Sequence, residues 1–167
     1  MRYLSRQAKI NPVPRFMRKA LSAAYSGCFA GAGGPFGCCI VSNGRLISSA
    51  CNTVLKDNDP TAHAEINAIR IAARRLRTYQ LRGCLLYTTT EPCPMCFSAI
   101  HWARIDAVIY GTAIKDVKKL GFNELTIGAR DMKKIGRAKV DILSGFLVDE
   151  CRGLLDYWAG LAQKKVY

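Results

Sequence analysis

Acidic residues are scarce and unevenly placed. None precedes Asp57, whereas the same stretch carries Arg2, Arg6, Lys9, Arg15, Arg18, Lys19, Arg45 and Lys56, and the whole chain has a formal net charge of +13. Long apolar runs are also missing: nothing approaches the ~18 residues that a membrane-spanning helix needs. No secretory signal is visible, so the eight cysteines are expected to stay reduced rather than to form a disulfide framework. The basic first twenty residues can imitate a mitochondrial presequence, but they are short and run directly into a helix-like segment, so cytoplasm is the expectation. Repeats, low-complexity stretches and linkers are absent. The 167 residues therefore read as one domain, 1–167, long enough to bury a core.

Hydrophobic periodicity predicts a helix over 14–30, with Phe16, Met17, Ala20, Leu21 and Ala24 on one stripe. The Gly31–Pro35 segment ends it. Strands are expected over 36–41 and 46–52, joined by a turn at Ser42-Asn43-Gly44-Arg45. A loop over 57–61 leads into a helix over 63–76, with Ile66, Ile69, Ala72 and Ala73 facing inward. A buried strand follows over 84–88, a short helix over 94–103 and a strand over 107–110. Residues 111–138 read as glycine-punctuated loop, with a short helix near 116–120. A last strand falls at 140–143 and a closing amphipathic helix at 146–163. Strands alternating with helices predict a three-layer α/β/α sandwich around a mixed central sheet.

Arg70, Arg74 and Arg77 recur on one face of the 63–76 helix, with Arg75 and Arg82 adding to the charge. Such a face suits nucleic acid, a solvated basic surface or the attraction of small anions. Charge alone favours the solvated surface, because no aromatic stacking module accompanies it. Cys38, Cys39, Cys51 and Cys84 lie in apolar, strand-like surroundings and are expected to pack as small hydrophobes.

Only Cys93 and Cys96 are spaced as ligands. Thr61-Ala62-His63-Ala64-Glu65 is followed, thirty residues after the histidine, by Glu91-Pro92-Cys93-Pro94-Met95-Cys96. One histidine and two closely spaced cysteines supply three zinc ligands and leave a fourth position open, whereas a structural zinc takes four protein ligands. His63 and Cys93 each begin a predicted helix, where free amides and the helix dipole favour thiolates. Pro92 and Pro94 fit a helix start. Glu65, which is not a ligand, can move protons between water, a heterocycle nitrogen and leaving ammonia. His101 is expected to be structural, since the metal site already has its histidine.

His-x-Glu followed by Pro-Cys-x-x-Cys is the zinc-deaminase pattern, and the chain resembles the cytidine deaminase superfamily. Within it, Gly33-Gly34-Pro35-Phe36-Gly37, Asn52, Asp59 to Glu65, Tyr79-Gln80-Leu81, Leu86-Tyr87-Thr88, Glu91 to Cys96, Ala99 to Arg104 and Gly121-Phe122 resemble bacterial-type guanine deaminases. The resemblance implies that Asn52 holds the base through its amide, that Phe36 walls the ring, and that Ala64 and Glu91 border the substrate. It places Trp102 at a subunit boundary of a homodimer, and Tyr167 in a pocket reached by a swapped tail. For each of Asn52, Phe36 and Trp102 a structural alternative stands beside these roles: a turn cap, core packing and interface packing respectively.

Two departures bear on substrate. Family guanine deaminases follow Gly-Phe with paired acids, the second of which recognises guanine; here the pair reads Asn123-Glu124. Gly145 to Cys151 and the apolar segment after it resemble the tail of tRNA adenosine deaminases instead. Zinc-dependent conversion of guanine to xanthine and ammonia is therefore the leading expectation. Deamination of tRNA adenosine is the alternative, with RNA as a possible substrate given the charge. A related amino-heterocycle or nucleoside, such as cytosine or guanosine, and a silent RNA-binding partner subunit are further readings.

Overall fold

A computed structural model describes residues 10–167; Arg2, Arg6 and Lys9 of the basic leader lie outside the described residues. Five strands, β1 (Gly37–Ser42), β2 (Arg45–Cys51), β3 (Cys84–Thr90), β4 (Ala107–Thr112) and β5 (Asp141–Leu143), form one sheet in the order β2-β1-β3-β4-β5. β1 runs antiparallel to both β2 and β3, while β3, β4 and β5 are mutually parallel. The mixed sheet of the expected sandwich is thus present. Asn43 and Gly44, both at positive φ (48° and 70°), make the β1–β2 turn that the sequence signalled.

Helices cover both faces. On one side lie α1 (Pro14–Phe29) and α7 (Val148–Ala159), and their core joins Met17, Leu21 and Ala24 to Tyr87, Ile109, Leu154 and Trp158. Every residue of the expected α1 stripe is buried. On the other side α3 (Ala64–Leu76) and α4 (Pro94–Trp102) pack with Ile40, Leu86, Val108 and Ile100. The inner stripe of α3 differs from expectation: Ala64, Ala68 and Ala72 are fully buried, whereas Ile66, Ile69 and Ala73 are half-buried at its edges. Alanines at i, i+4 and i+8 bring the helix backbone close to the sheet, and the larger side chains fill the flanks.

Three further differences have local causes. α2 (Val54–Asp57) is a single turn closed by Asn58 at φ 50°, too short to show periodicity. α6 (Ala129–Ile135) lies in the segment expected to be loop; of its residues only Ala129 is buried, so it has no apolar stripe to read. α5 (Ile114–Lys118) matches the short helix expected in that segment. α7 spans 148–159 rather than 146–163. Leu147 sits at φ 49°, which a helix cannot include, and Gly160 caps the other end. Cys38, Cys39 and Cys84 are buried and unpaired as expected, and Cys51 is half-buried. Among the described residues, no helix is long and apolar enough to cross a membrane.

Gly37 marks where α1 comes closest to the sheet: a β-carbon there would run into the Ala20 carbonyl and crowd Ala24. Neither neighbour can yield, since both belong to the buried face of α1. Gly37→Ala is expected to lower stability by about 1–3 kcal/mol, read as a shifted urea midpoint. An unchanged midpoint would show that α1 is not seated as described.

Candidate active site and metal centre

The site is built where two helices begin. His63 is the N-cap of α3 and Cys93 the N-cap of α4, both with extended backbone (ψ 156° and 167°), and Cys96 follows in the first turn of α4. Pro94 opens α4, where its missing N–H costs nothing. His63 Nδ1 lies 3.7 Å from Cys93 Sγ and 3.6 Å from Cys96 Sγ. All three ligand atoms fall within 4.8 Å of one another. Zn–S and Zn–N bonds of about 2.3 and 2.0–2.1 Å at a tetrahedral angle require N···S edges of about 3.6 Å. The donor set and its spacing therefore fit zinc, with three protein ligands and room for a fourth.

Electrostatics follow the same geometry. A hydrogen bond from Cys96 holds the Cys93 thiol down to about 4 against the cost of burial, with His63 lowering it further. Cys96 moves upward, chiefly because it donates to Cys93, so Cys93 carries the first thiolate. Burial opposes a charged His63, yet its hydrogen bond to Cys93 and the neighbouring charge of Glu65 raise it overall.

Glu65, in the first turn of α3, is 6% exposed. The Thr88 hydroxyl donates to its Oε1 at 3.0 Å, and Cys96 Sγ lies 3.4 Å from its Oε2. Burial raises the Glu65 carboxyl, and the charge on Cys93 adds to the shift. A carboxylate kept from full ionisation beside a metal site is suited to accept and return a proton.

The other expected residues make the following contacts. Asn52 is fully buried; its Oδ1 accepts the Val54 N–H at 3.1 Å, and among the described residues its Nδ2 alone is a buried side-chain donor without a partner. Ala64 is buried immediately after His63. Phe36 is half-buried and meets Phe122 edge-on at 5.2 Å; Phe122 in turn meets Tyr167 at 5.4 Å. The Tyr167 hydroxyl accepts the Gly34 N–H at 3.0 Å, and burial raises its pKa. The tail thus reaches its own chain's pocket wall. Glu124 is half-buried, and burial followed by the negative charge of Cys93 raises its carboxyl.

Trp102 is 77% exposed, beside an exposed His101. Glu91, expected to border the substrate, gives both oxygens to backbone: Oε2 accepts the Ile114 N–H at 3.2 Å and Oε1 the Ala129 N–H at 2.9 Å.

Sequence reading missed Asn67 and Thr88. The Asn67 amide donates to Cys51 O at 3.1 Å, Thr53 Oγ1 at 2.9 Å and Ala62 O at 3.3 Å, fastening the loop before His63 to the strand that ends at Asn52. The only available signal was an asparagine inside a helix, where its propensity is poor.

An open three-ligand zinc site with a buried carboxyl, set on a mixed five-stranded sheet, defines a hydrolytic zinc enzyme of the cytidine deaminase fold. Residues 11–112 match the family described as the cytidine and deoxycytidylate deaminase zinc-binding region, and the chain belongs to that family. It is 41% identical over 152 residues to guanine deaminase of Bacillus subtilis, covering 91% of this chain and 97% of that one. It is 35% identical over 153 residues to a tRNA-specific adenosine deaminase of Buchnera aphidicola, covering 88% and 93%. The structure of guanine deaminase from Nitrosomonas europaea superposes with a TM-score of 0.81 at 27% identity, covering 92% and 88%. The protein is a zinc-dependent aminohydrolase.

Because the ligands come from two separate helix starts, metal binding is coupled to folding. We expect one zinc per chain by elemental analysis, and a lower thermal midpoint after chelation. Cys96→Ser should lose most of the metal; full retention would remove Cys96 from the ligand set.

Proposed function

We propose that the enzyme deaminates guanine to xanthine and ammonia, as a cytoplasmic homodimer in which Trp102 lies at the boundary between protomers. One observation carries the substrate reading. The buried Asn52 Nδ2, without a full hydrogen-bond partner, offers a donor, and the half-buried Glu124, whose carboxyl feels the charges of Cys93 and His63, offers an acceptor. A purine edge presents complementary groups, and a buried amide left unpaired costs about 1–3 kcal/mol. The likeness to the Bacillus enzyme over nearly the whole length of both chains supports the same substrate. Homodimer formation is supported by the indole of Trp102, which the described residues leave 77% exposed.

His63, Cys93 and Cys96 hold the zinc, which when bound acidifies water and so supplies hydroxide near neutral pH. Glu65 would take a proton from the attacking water and deliver it to a ring nitrogen, then take the remaining proton of the added hydroxyl and pass it to the amino group, which leaves as ammonia. Thr88 keeps the Glu65 carboxyl aimed at the site through its hydrogen bond to Oε1. Phe36 walls the base, Ala64 borders it, and Tyr167 closes the pocket against Phe122.

Deamination of adenosine in tRNA is the second reading. It is favoured by the exposed Arg70 and Arg74 on α3, with Arg77 at its left-handed C-cap (φ 54°) rather than on the helix as expected, and by the likeness to the Buchnera enzyme. A panel of guanine, guanosine, adenine, cytosine and an anticodon stem-loop RNA separates the two by product mass. Xanthine from guanine alone supports the first, whereas inosine in the RNA with guanine untouched would replace it.

Glu65→Ala is expected to retain zinc while turnover falls by roughly 10²–10⁴-fold or more; near-normal kcat would refute the proton-transfer role. Glu124→Ala is expected to reduce kcat/KM for guanine by about 10–100-fold, in line with loss of a hydrogen bond to a charged group. Unchanged kinetics on every substrate would take Glu124 out of the pocket.

A further inference from the structure

Glu91 sits between the last residue of β3 and the Pro92-Cys93 metal-ligand turn, and it does something unusual with its two oxygens. One receives the N–H of Ile114, the first residue of α5, at 3.2 Å. The other receives the N–H of Ala129, the first residue of α6, at 2.9 Å. A single carboxylate thus draws together the two ends of the segment 114–129. That segment carries Phe122, which packs against Phe36 and Tyr167, and Glu124, whose carboxyl lies in the field of Cys93 and His63. The Glu91 backbone is fixed in turn: its N–H donates to the Thr112 carbonyl at 2.8 Å, where β4 ends just before the segment begins. Gly128 leaves the space for this, since a β-carbon there would stand 2.9 Å from Glu91 Oε1.

We propose that Glu91 is a positioning residue that locks the substrate-recognition segment 114–129 in register with the zinc site, so that Glu124 and Phe122 meet the base without Glu91 touching it. This rests on the reading of Glu124 as a substrate contact. Ile114, Val117 and Phe122 anchor the first part of the segment in the core, whereas the stretch from Asn123 to Gly128 has little besides the Glu91 ties to fix it. α5 is one short turn, residues 119–128 form no helix or strand, and Leu125 is 66% exposed. Hydrogen bonds to a charged acceptor are the stronger kind, and closing both ends with one group restricts the loop more than two separate contacts would. Cys93 lies two residues from Glu91 on the chain, so the segment is indexed to the metal ligand itself rather than to the distant sheet edge. A neutral amide at 91 has one oxygen to accept and an NH2 group that would face a backbone N–H. It therefore keeps one tie and loses the other.

Three variants of the full chain, loaded with zinc, test this: Glu91→Ala, Glu91→Gln and Gly128→Ala. Each is assayed for zinc content, for kcat and KM on whichever substrate of the panel is turned over, and for hydrogen exchange of segment 114–129 without substrate. With zinc at one per chain, Glu91→Ala is expected to raise KM about tenfold or more while kcat falls much less. Glu91→Gln should fall between it and the wild type, Gly128→Ala should shift KM in the same direction, and exchange should quicken in 114–129 but not in α3. Loss of zinc in parallel with kcat, at unchanged KM, would assign Glu91 to the metal site and overturn the proposal. Intact KM with unchanged exchange would overturn it as well. If Glu91→Ala fails to fold, the other two variants decide. If guanine is not turned over, the guanine reading fails alone, since the exchange measurement needs no substrate. Quickened exchange with KM unchanged would leave Glu91 a purely structural tie and refute its role in substrate binding.

Discussion

The structure depends on bringing the N-termini of α3 and α4 side by side on one face of the sheet. A three-ligand metal site needs its donor atoms within a few ångströms, yet His63 and Cys93 lie thirty residues apart in the chain. Placing each as an N-cap solves the problem with backbone geometry. An extended residue at a helix start projects its side chain ahead of the helix, and two such starts packed together converge on one point. What holds them there is apolar: Ala64, Ala68 and Ala72 press α3 onto the sheet, and Phe97 and Ile100 seat α4 in the same core. Burial of that face supplies the driving force, and alanine's small volume sets the distance.

Polar groups at the ends of β3 and β4 then align the chemistry. Consecutive threonines take different tasks because strand residues alternate between faces. Thr88 hydrogen-bonds Glu65, while the Thr89 hydroxyl accepts the Gly37 N–H at 3.1 Å and fixes the glycine-rich turn. Thr90 and Thr112 bond each other at 2.9 Å across the parallel pair. All four hydroxyls are buried, and each has a partner. The one buried donor left over among the described residues is on Asn52, whose side chain also acts on the Tyr167 hydroxyl, a contrast that sets Asn52 apart from the scaffold.

The elements legible in the sequence were those whose signal is local. The stripe of α1, the Asn-Gly turn and the alternation of strands and helices each follow from short-range pattern, and the metal ligands from spacing and residue type. α6 was hidden because it buries only Ala129 and begins at an amide bonded to Glu91, 38 residues earlier. The inner face of α3 was misjudged because close approach selects alanine where periodicity points to isoleucine. Asn67, Thr88 and the two ties of Glu91 were invisible for one reason: their partners come from other elements, and no spacing encodes a contact of that kind. Tyr167 shows the same limit, since its place against Phe122 and Gly34 depends on how the chain after Gly160 returns to the pocket.

Metal chemistry and substrate choice occupy mechanically different parts of the molecule. The zinc ligands ride on helix starts embedded in the core, where a displacement would break packing on two elements at once. Glu124 rides on a segment with little regular structure, joined to the rest through Phe122 and the amides at its ends. If Glu124 meets the substrate as proposed, a change of one methylene there would alter which heterocycle is bound while leaving the ligands undisturbed, because polar mismatch in a closed site is costly. The same division explains how a family sharing one zinc motif includes relatives that deaminate a free base and others that act on tRNA. On the proposed reading, the scaffold would fix the reaction, and the segment tied down by Glu91 would fix what enters.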